Sequence, residues 1–270
     1  MKKLFFLILL VCFVQIANAQ LLYELPIPYL KDLGLKGRIK EVIELDYGGE
    51  INGVTVDTLG KYNKTVLKFD VDGKRKETTE YDPDGNMIVK WLFDYTKERT
   101  VEVNRTNNAN ILLSRYIFKY NDQGKQIECD SYVNYIIDNV VDTVFSKYIF
   151  KYDVNGNRIE EDIQDEKSAY IDKIIFLYND KHQQIEKDSY SVDGSLYAKT
   201  LYEYDQSGNT IKNEDYDPNK GISIGGDSAA YSNIDKHGNW LLKNYQESFS
   251  PNKTGGMVQK GIIKRTILYY

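Results

Sequence analysis

Apolar and polar residues alternate with a period of two along most of this chain, and short polar turns interrupt the alternation. The clearest stretch is Tyr148-Ile149-Phe150-Lys151-Tyr152, followed by Asp153-Val154-Asn155-Gly156-Asn157 and then Arg158-Ile159. A period of two is the signature of a β-strand. Asn155-Gly156 suits a two-residue type I′ turn, because both central residues of that turn need positive φ. Such a turn sets Val154 opposite Asn157 and Tyr152 opposite Ile159, so that an aromatic ring packs on a β-branched neighbour. The stretch predicts a β-hairpin.

The same phrase recurs as an aromatic residue, a turn glycine four positions on and an apolar residue three beyond that. Tyr81 leads to Gly85 and Ile88, Tyr120 to Gly124 and Ile127, and Tyr204 to Gly208 and Ile211. Tyr190 leads through Gly194 to Tyr197, and Ile234 through Gly238 to Leu241. Tyr178 runs through His182 to Ile185, while Phe69 with Gly73 ends on Lys76. A unit this short cannot bury its own apolar face, so copies must stack or pair with neighbours. Gly73, Gly85, Gly124, Gly156, Gly194, Gly208 and Gly238 are therefore the structural turn residues.

The flanking segments extend this picture. Ile39, Val42, Ile43, Leu45 and Tyr47 suggest a first strand that Gly48-Gly49 ends, and 51–59 and 61–69 suggest two more, joined near Gly60. Residues 217–230 read as a Gly- and Ser-rich loop, 250–256 as a second loop, and 262–270 as a closing strand. Tyr116, Phe118 and Tyr120 share one face, as do Tyr148, Phe150 and Tyr152, and Ile174, Phe176 and Tyr178. The other face carries Lys119 and Lys151 but also Ile117, Ile149 and Ile175. With both faces partly apolar, the reading is an all-β, repeat-like antiparallel array of hairpins forming a curled or two-layer meander. A terminal aromatic after an alternating strand is also a feature of outer-membrane barrels. Lys264, on the face of Tyr270, and the Lys, Glu and Asp spread over both faces of other strands argue against that.

Phrases such as Lys151-Tyr152-Asp153-Val154-Asn155-Gly156-Asn157 and Tyr202-Glu203-Tyr204-Asp205-Gln206-Ser207-Gly208-Asn209 resemble the Tyr-Asp repeat of Rhs-type proteins. They are similar in style to secreted repeat proteins of Bacteroidetes-type bacteria as well. The resemblance spans roughly residues 69–245. In the Rhs family such repeats build long β-sheet shells around a toxin. Here the spacing is irregular, the chain is too short to enclose a payload, and no separate toxin domain follows. The resemblance implies a hairpin array and no activity.

Composition narrows the rest. Met1-Lys2-Lys3, the apolar run from Leu4 to Ile16 and Ala17-Asn18-Ala19 read as a secretory signal peptide over 1–19. Lipid attachment at Cys12 is the rival. Residues 20–36, with Pro26 and Pro28, read as an extended lead-in, and 37–270 as a single hairpin-repeat domain. The net charge of −5 grows more negative once Lys2 and Lys3 are removed. An acidic chain of this kind argues against nucleic acid. No later run is apolar enough for a transmembrane segment. Cys129 is the only cysteine left after cleavage, and a buried thiol is its expected state.

Candidate chemistry is sparse. His182 and His237 both fall at turns, which leaves no imidazole beside a nucleophile and no metal cluster. Asp70-Val71-Asp72-Gly73 and Asp82-Pro83-Asp84-Gly85 imitate the opening of a calcium loop, but position twelve is Tyr81 or Phe93 instead of a glutamate. Adjacent carboxylates such as Glu160-Glu161-Asp162 point to opposite faces of a strand. Trp240 and Trp91 are the candidate ligand-binding residues, as stacking platforms for sugar rings or peptides, with core packing as the alternative for each. The expectation is a non-enzymatic, exported binding or scaffold module of the periplasm or cell surface, needing no cofactor, its partner a protein or glycan at the cell envelope. The alternatives are a carbohydrate-binding protein using exposed Trp and Tyr, and a hydrolase with two converging carboxylates.

Overall fold

The computed structural model describes residues 25–29, 33–51, 54–55, 62–137, 140–249 and 256–270. The expected signal peptide and Cys12 lie outside the described residues, as do most of the predicted strand 51–59 and of the loop 250–256. Seventeen strands follow one another: β1 (Ile39–Ile51), β2 (Val54–Thr55), β3 (Asn63–Phe69), β4 (Arg75–Tyr81), β5 (Met87–Asp94), β6 (Thr100–Asn107), β7 (Leu112–Tyr120) and β8 (Gln126–Ile137). Then come β9 (Val140–Tyr152), β10 (Arg158–Gln164), β11 (Tyr170–Tyr178), β12 (Gln184–Ser191), β13 (Leu196–Tyr204), β14 (Thr210–Asp217), β15 (Ile222–Ile234), β16 (Trp240–Phe249) and β17 (Met257–Tyr269).

Consecutive strands from β3 to β17 pair antiparallel, and β1 pairs with both β3 and β17. The ring is therefore closed, with β2 a two-residue appendage to the end of β1. The meander is a barrel of sixteen strands, more specific than the curled or two-layer sheet that the pattern suggested. Closure gives each of the sixteen strands a ladder partner on both sides, which removes the open edges of a flat sheet, although the β8–β9 hairpin runs on past its neighbours beyond Val133 and before Lys147.

Cross-strand pairing assigns the two walls. Val101, Phe118, Cys129, Tyr148 and Ile163 are joined partner to partner around β6–β10, and all are nearly inaccessible to solvent. Among the described residues, substantial contacts between strands run only between ladder neighbours, so these residues form no second layer outside the sheet. A fully buried face in a one-layer ring is the inner wall. Leu25 and Tyr29 pack against it from the N-terminal segment. A smaller core gathers Leu35, Ile39, Val42, Leu67 and Phe69 where β1 meets β3.

The hairpin turns differ from the expected type. In the 153–157 turn only Gly156 takes positive φ (90°). The Gly156 N–H donates to Asp153 O (3.1 Å), and the Asp153 N–H to Asn157 O (3.0 Å). This is a type I turn closed by a left-handed glycine, which needs one positive φ instead of two. Asp153 stabilises it, its carboxylate accepting from the backbone N–H and the side-chain amide of Asn157 (both 2.8 Å). A second bulge follows, so Tyr152 faces Arg158 and Lys151 faces Glu160. Ile159 is the skipped residue, and Val154 stands fully exposed at the tip. Ile88, Ile127, Ile185 and Ile211 are skipped in the same way. The apolar residue seven places after the aromatic is thus not its cross-strand partner. Cys129 is buried through its pairing with Phe118 and Tyr148, not through sharing a face with Ile127, which is 41% exposed.

Two other boundaries move. β1 continues through Gly48-Gly49 by way of a bulge. The expected loop at 217–230 is only the turn 217–221, after which β15 runs on. Gly225 and Gly226 make this possible with φ of 158° and 145°. A Cβ on Gly226 would lie 2.3 Å from Asn213 O, so only glycine lets neighbouring backbones approach that closely.

Candidate functional site

Turns at one rim of the barrel hold Gly73, Gly124, Gly156, Gly208 and Gly238; Gly85 and Gly194 lie at the opposite rim. All seven have positive φ, and His182 takes the same conformation (60°) where its copy lacks glycine. The calcium-like carboxylates are engaged within their own turns. Asp70 Oδ1 accepts from the N–H groups of Asp72 (3.0 Å) and Lys74 (2.9 Å), and Asp82 Oδ1 from those of Asp84 (3.0 Å) and Asn86 (2.8 Å). Tyrosines at the strand ends, two of them from the repeat and the third Tyr95, have a separate task at the first rim. Tyr178 Oη donates to Arg158 O (2.8 Å), Tyr204 Oη to Gln184 O (2.7 Å) and Tyr95 Oη to Arg75 O (2.9 Å). Each ties the end of one hairpin to the start of the preceding strand.

The two tryptophans lie on the inner wall of different arcs and do not meet. Trp91 stacks on Tyr116 (6.1 Å between centroids), has Arg105 Cζ 5.1 Å from its ring, and donates from Nε1 to Glu80 Oε1 (3.1 Å). Trp240 has Arg265 Cζ 3.4 Å above its ring and Tyr231 at 5.3 Å. Arg265 is held in turn by Glu44. Both indoles are engaged by protein groups.

Around β13–β17 and β1 the inner wall becomes polar. Thr200, Tyr202, Asn213, Asp215, Asp227, Tyr231, Lys243, Tyr245 and Glu247 share the face that is apolar elsewhere. Tyr245 Oη donates to Asp46 Oδ1 (2.9 Å), and its ring occupies the space over Gly261 where a side chain would stand. Burial raises the Asp46 carboxyl above its ordinary value against the pull of Tyr245 and Lys243. Burial also raises Glu247, and Asp227 and Asp46 add to the effect. The two histidines sit elsewhere, His182 beside Asn157 (3.2 Å) and His237 against the Tyr269 ring (4.4 Å), both at the first rim.

The outer wall carries a ladder of opposite charges. Lysines on one strand alternate with carboxylates on the next, each long side chain lying over its neighbours. Lys119 bonds Glu128 and Asp130 (2.8 Å to the latter), and Lys147 approaches the same pair (3.6 and 3.9 Å). Lys151 bonds Glu160 and Asp162 (3.0 Å to the latter), with Lys173 at 3.4 and 3.7 Å. Lys199 repeats the arrangement with Glu186 and Asp188, and Lys68 and Lys90 share Glu77. Bonds to Glu160 and Asp162 raise the Lys151 ammonium above its usual value. At Asp162 burial works against ionisation, but Lys151 and Tyr170 outweigh it and hold the carboxyl below its usual range.

A groove of about 570 Å³ opens on this outer wall between β11, β12 and the 191–195 turn. Tyr170 and Tyr190 stand beside Ile175 and Lys173, with Asp172, Ser191, Val192 and Gly194 completing the lining. Tyr170 Oη donates to Asp162 Oδ2 (3.0 Å) and Tyr190 Oη to Asp188 Oδ2 (3.4 Å). Sequence reading missed this groove. Tyr190 was legible only as the first residue of a repeat, and Tyr170 belongs to no copy. A usable signal was the presence of two tyrosines, Tyr190 and Tyr197, on either side of the 191–195 turn in the one copy whose apolar end is aromatic.

These features define the class: a closed antiparallel barrel with a charged outer wall. Among solved structures, a porin-like protein from Bacteroides uniformis has the same fold, with a TM-score of 0.57 at 8% identity, covering 87% of this chain and 99% of that one. A second porin-like protein, from Bacteroides vulgatus, matches with a TM-score of 0.50 at 12% identity over 86% of this chain and 98% of that one. No family model matches the sequence, and no curated protein matches it. The likeness to Rhs-type repeats thus stays at the level of the hairpin.

Proposed function

We propose that this chain is an exported, non-enzymatic binding or scaffold barrel of the cell envelope, and that its outer wall works in water instead of in lipid. The carrying observation is the lysine–carboxylate ladder on the outer wall, which runs from the strand ends at the first rim (Lys119, Lys151) to mid-strand positions (Lys173, Lys199). A lipid-facing barrel needs an apolar outer band about 25 Å tall, and a lysine or arginine at its midplane costs roughly 2–4 kcal/mol. Here the buried aromatic core faces inward around β5–β11, and outward the ion pairs stand between branched residues such as Ile117, Ile149 and Ile175. The N-terminal segment that reads as a signal peptide supports export. Its partner on this reading is a protein or glycan of the envelope, with no part for nucleic acid.

The test is to express the chain from Gln20 onward, purify it without detergent and float it with anionic and neutral vesicles. A monodisperse barrel that stays with the aqueous phase is the expected result. A chain that aggregates without detergent and floats with vesicles of either kind refutes the proposal.

A further inference from the structure

The geometry points to the groove between Tyr170 and Tyr190 as a binding site for a neutral saccharide. The inference rests on the reading above, since it requires this wall to face water. Tyr170 is 46% exposed and Tyr190 partly so, and no described ring or cation lies against either ring, in contrast to Trp91 and Trp240. Their hydroxyls are anchored to Asp162 and Asp188, which fixes both rings before any ligand arrives. Rings held in this way offer amphipathic contact area at small entropic cost. Ile175 supplies an apolar floor, and Lys173 and the hydroxyls of the 191–195 turn supply polar groups at the margin.

The ligand class follows from that lining. A volume of about 570 Å³ falls within the range of small-molecule sites. Lys173 is paired with Glu160 and Asp162, and Asp188 with Lys199, so the charges around the rings are balanced, which favours neither an anion nor a cation. Two tyrosine faces with both acceptors and donors at their edge suit a pyranose ring, whose C–H face is apolar and whose equatorial rim is hydroxyl. The tryptophans expected to serve this purpose are packed inside; the outer tyrosines are placed to do it.

Calorimetric titration of the chain with maltotriose, cellotriose, xylotriose and chitotriose tests the site. At least one should bind, and Tyr170→Ala and Tyr190→Ala should each weaken it tenfold or more. Tyr216→Ala, on the outer wall of another hairpin, should leave the affinity unchanged. Amide chemical shifts should move at 170–175 and 188–194, which keeps the test decisive should either alanine variant misfold. A folded, detergent-free barrel that binds none of the four overturns the proposal, as does binding that both variants leave intact. A proline-rich peptide displacing nothing yet shifting the same amides would assign the groove to a protein partner and overturn it equally. In each of these outcomes the water-facing barrel survives, whereas a chain that requires detergent fails that prior reading first.

Discussion

The arc from β5 to β11 and the arc from β13 through β17 to β1 use the same antiparallel unit, yet they line the barrel differently. In the first, Phe93, Val103, Tyr116, Phe118, Cys129, Tyr148, Phe150, Ile163 and Ile174 make a mostly apolar wall, with Ser131 and Glu161 set into it. In the second, the same inward positions hold Thr200, Asn213, Asp215, Asp227, Lys243 and Glu247. A sixteen-strand ring encloses more space than its side chains fill. The two chemistries divide the labour: one arc supplies burial, and the other leaves polar groups facing the remaining space. Stability should therefore be concentrated in the first arc.

The sharpest way to break that comparison is to delete one ring from each arc. Phe118→Ala should cost about 3–5 kcal/mol, whereas Tyr202→Ala, on a partly exposed inner position, should cost about 1–2 kcal/mol. Equal losses in urea denaturation would show that the arcs share the burden evenly. The open arc has a different weak point in its backbone. Gly226→Ala should cost about 2–4 kcal/mol, because a glycine-only conformation meets a neighbouring carbonyl there. An unchanged midpoint would mean that β15 can leave its two partners freely.

Titration should separate the turn carboxylates from those of the polar arc. Burial opposes ionisation of Asp235, but hydrogen bonds from Tyr269, Asn239 and His237 prevail and bring it down to about 2 from 3.8. A depressed folded value means stability that is fully present above pH 3.8 and lost as pH falls towards 2. Asp235→Asn should remove about 1–2 kcal/mol at neutral pH and flatten the acid limb. Asp46 and Glu247 are shifted upward, so their sign is opposite: their contribution is present at low pH and lost as pH rises through their folded values. Asp46→Asn should accordingly not add to the acid loss. The smallest effect belongs to the outer wall. Lys212→Met should leave the urea midpoint nearly unchanged, because its pairs with Glu203 and Glu214 are open to solvent and exposed ion pairs contribute little.

Hairpins were legible because their determinants are local. A strand period of two and a glycine at a fixed offset place Tyr152, Gly156 and their equivalents without knowledge of the rest of the chain. The number of bulges was not legible, and it decides which residue faces which. Asp153 can serve as a turn stabiliser only once Asn157 lies within its reach, so Tyr152 met Arg158 instead of Ile159. Closure was also hidden. It depends on β1 meeting β17, as in Val42 with Ile267, and neither strand carries the repeat phrase. The tyrosine groove escaped because it joins the skipped end of one hairpin to the turn of the next. Both tryptophans were singled out for their residue type, and type alone does not reveal that Arg265 and Tyr116 cover their rings.

The outward placement of the charged wall can be measured at Ile149, which sits among Lys147, Lys151, Glu128 and Asp162 on the face opposite Phe150. A spin label at Ile149→Cys, read in the presence of vesicles, reports whether its surroundings admit a water-soluble paramagnetic reagent or only oxygen. Ready collision with the water-soluble reagent is expected. Exclusion of that reagent, together with strong oxygen accessibility in the presence of lipid, would place this wall in a membrane and contradict the account.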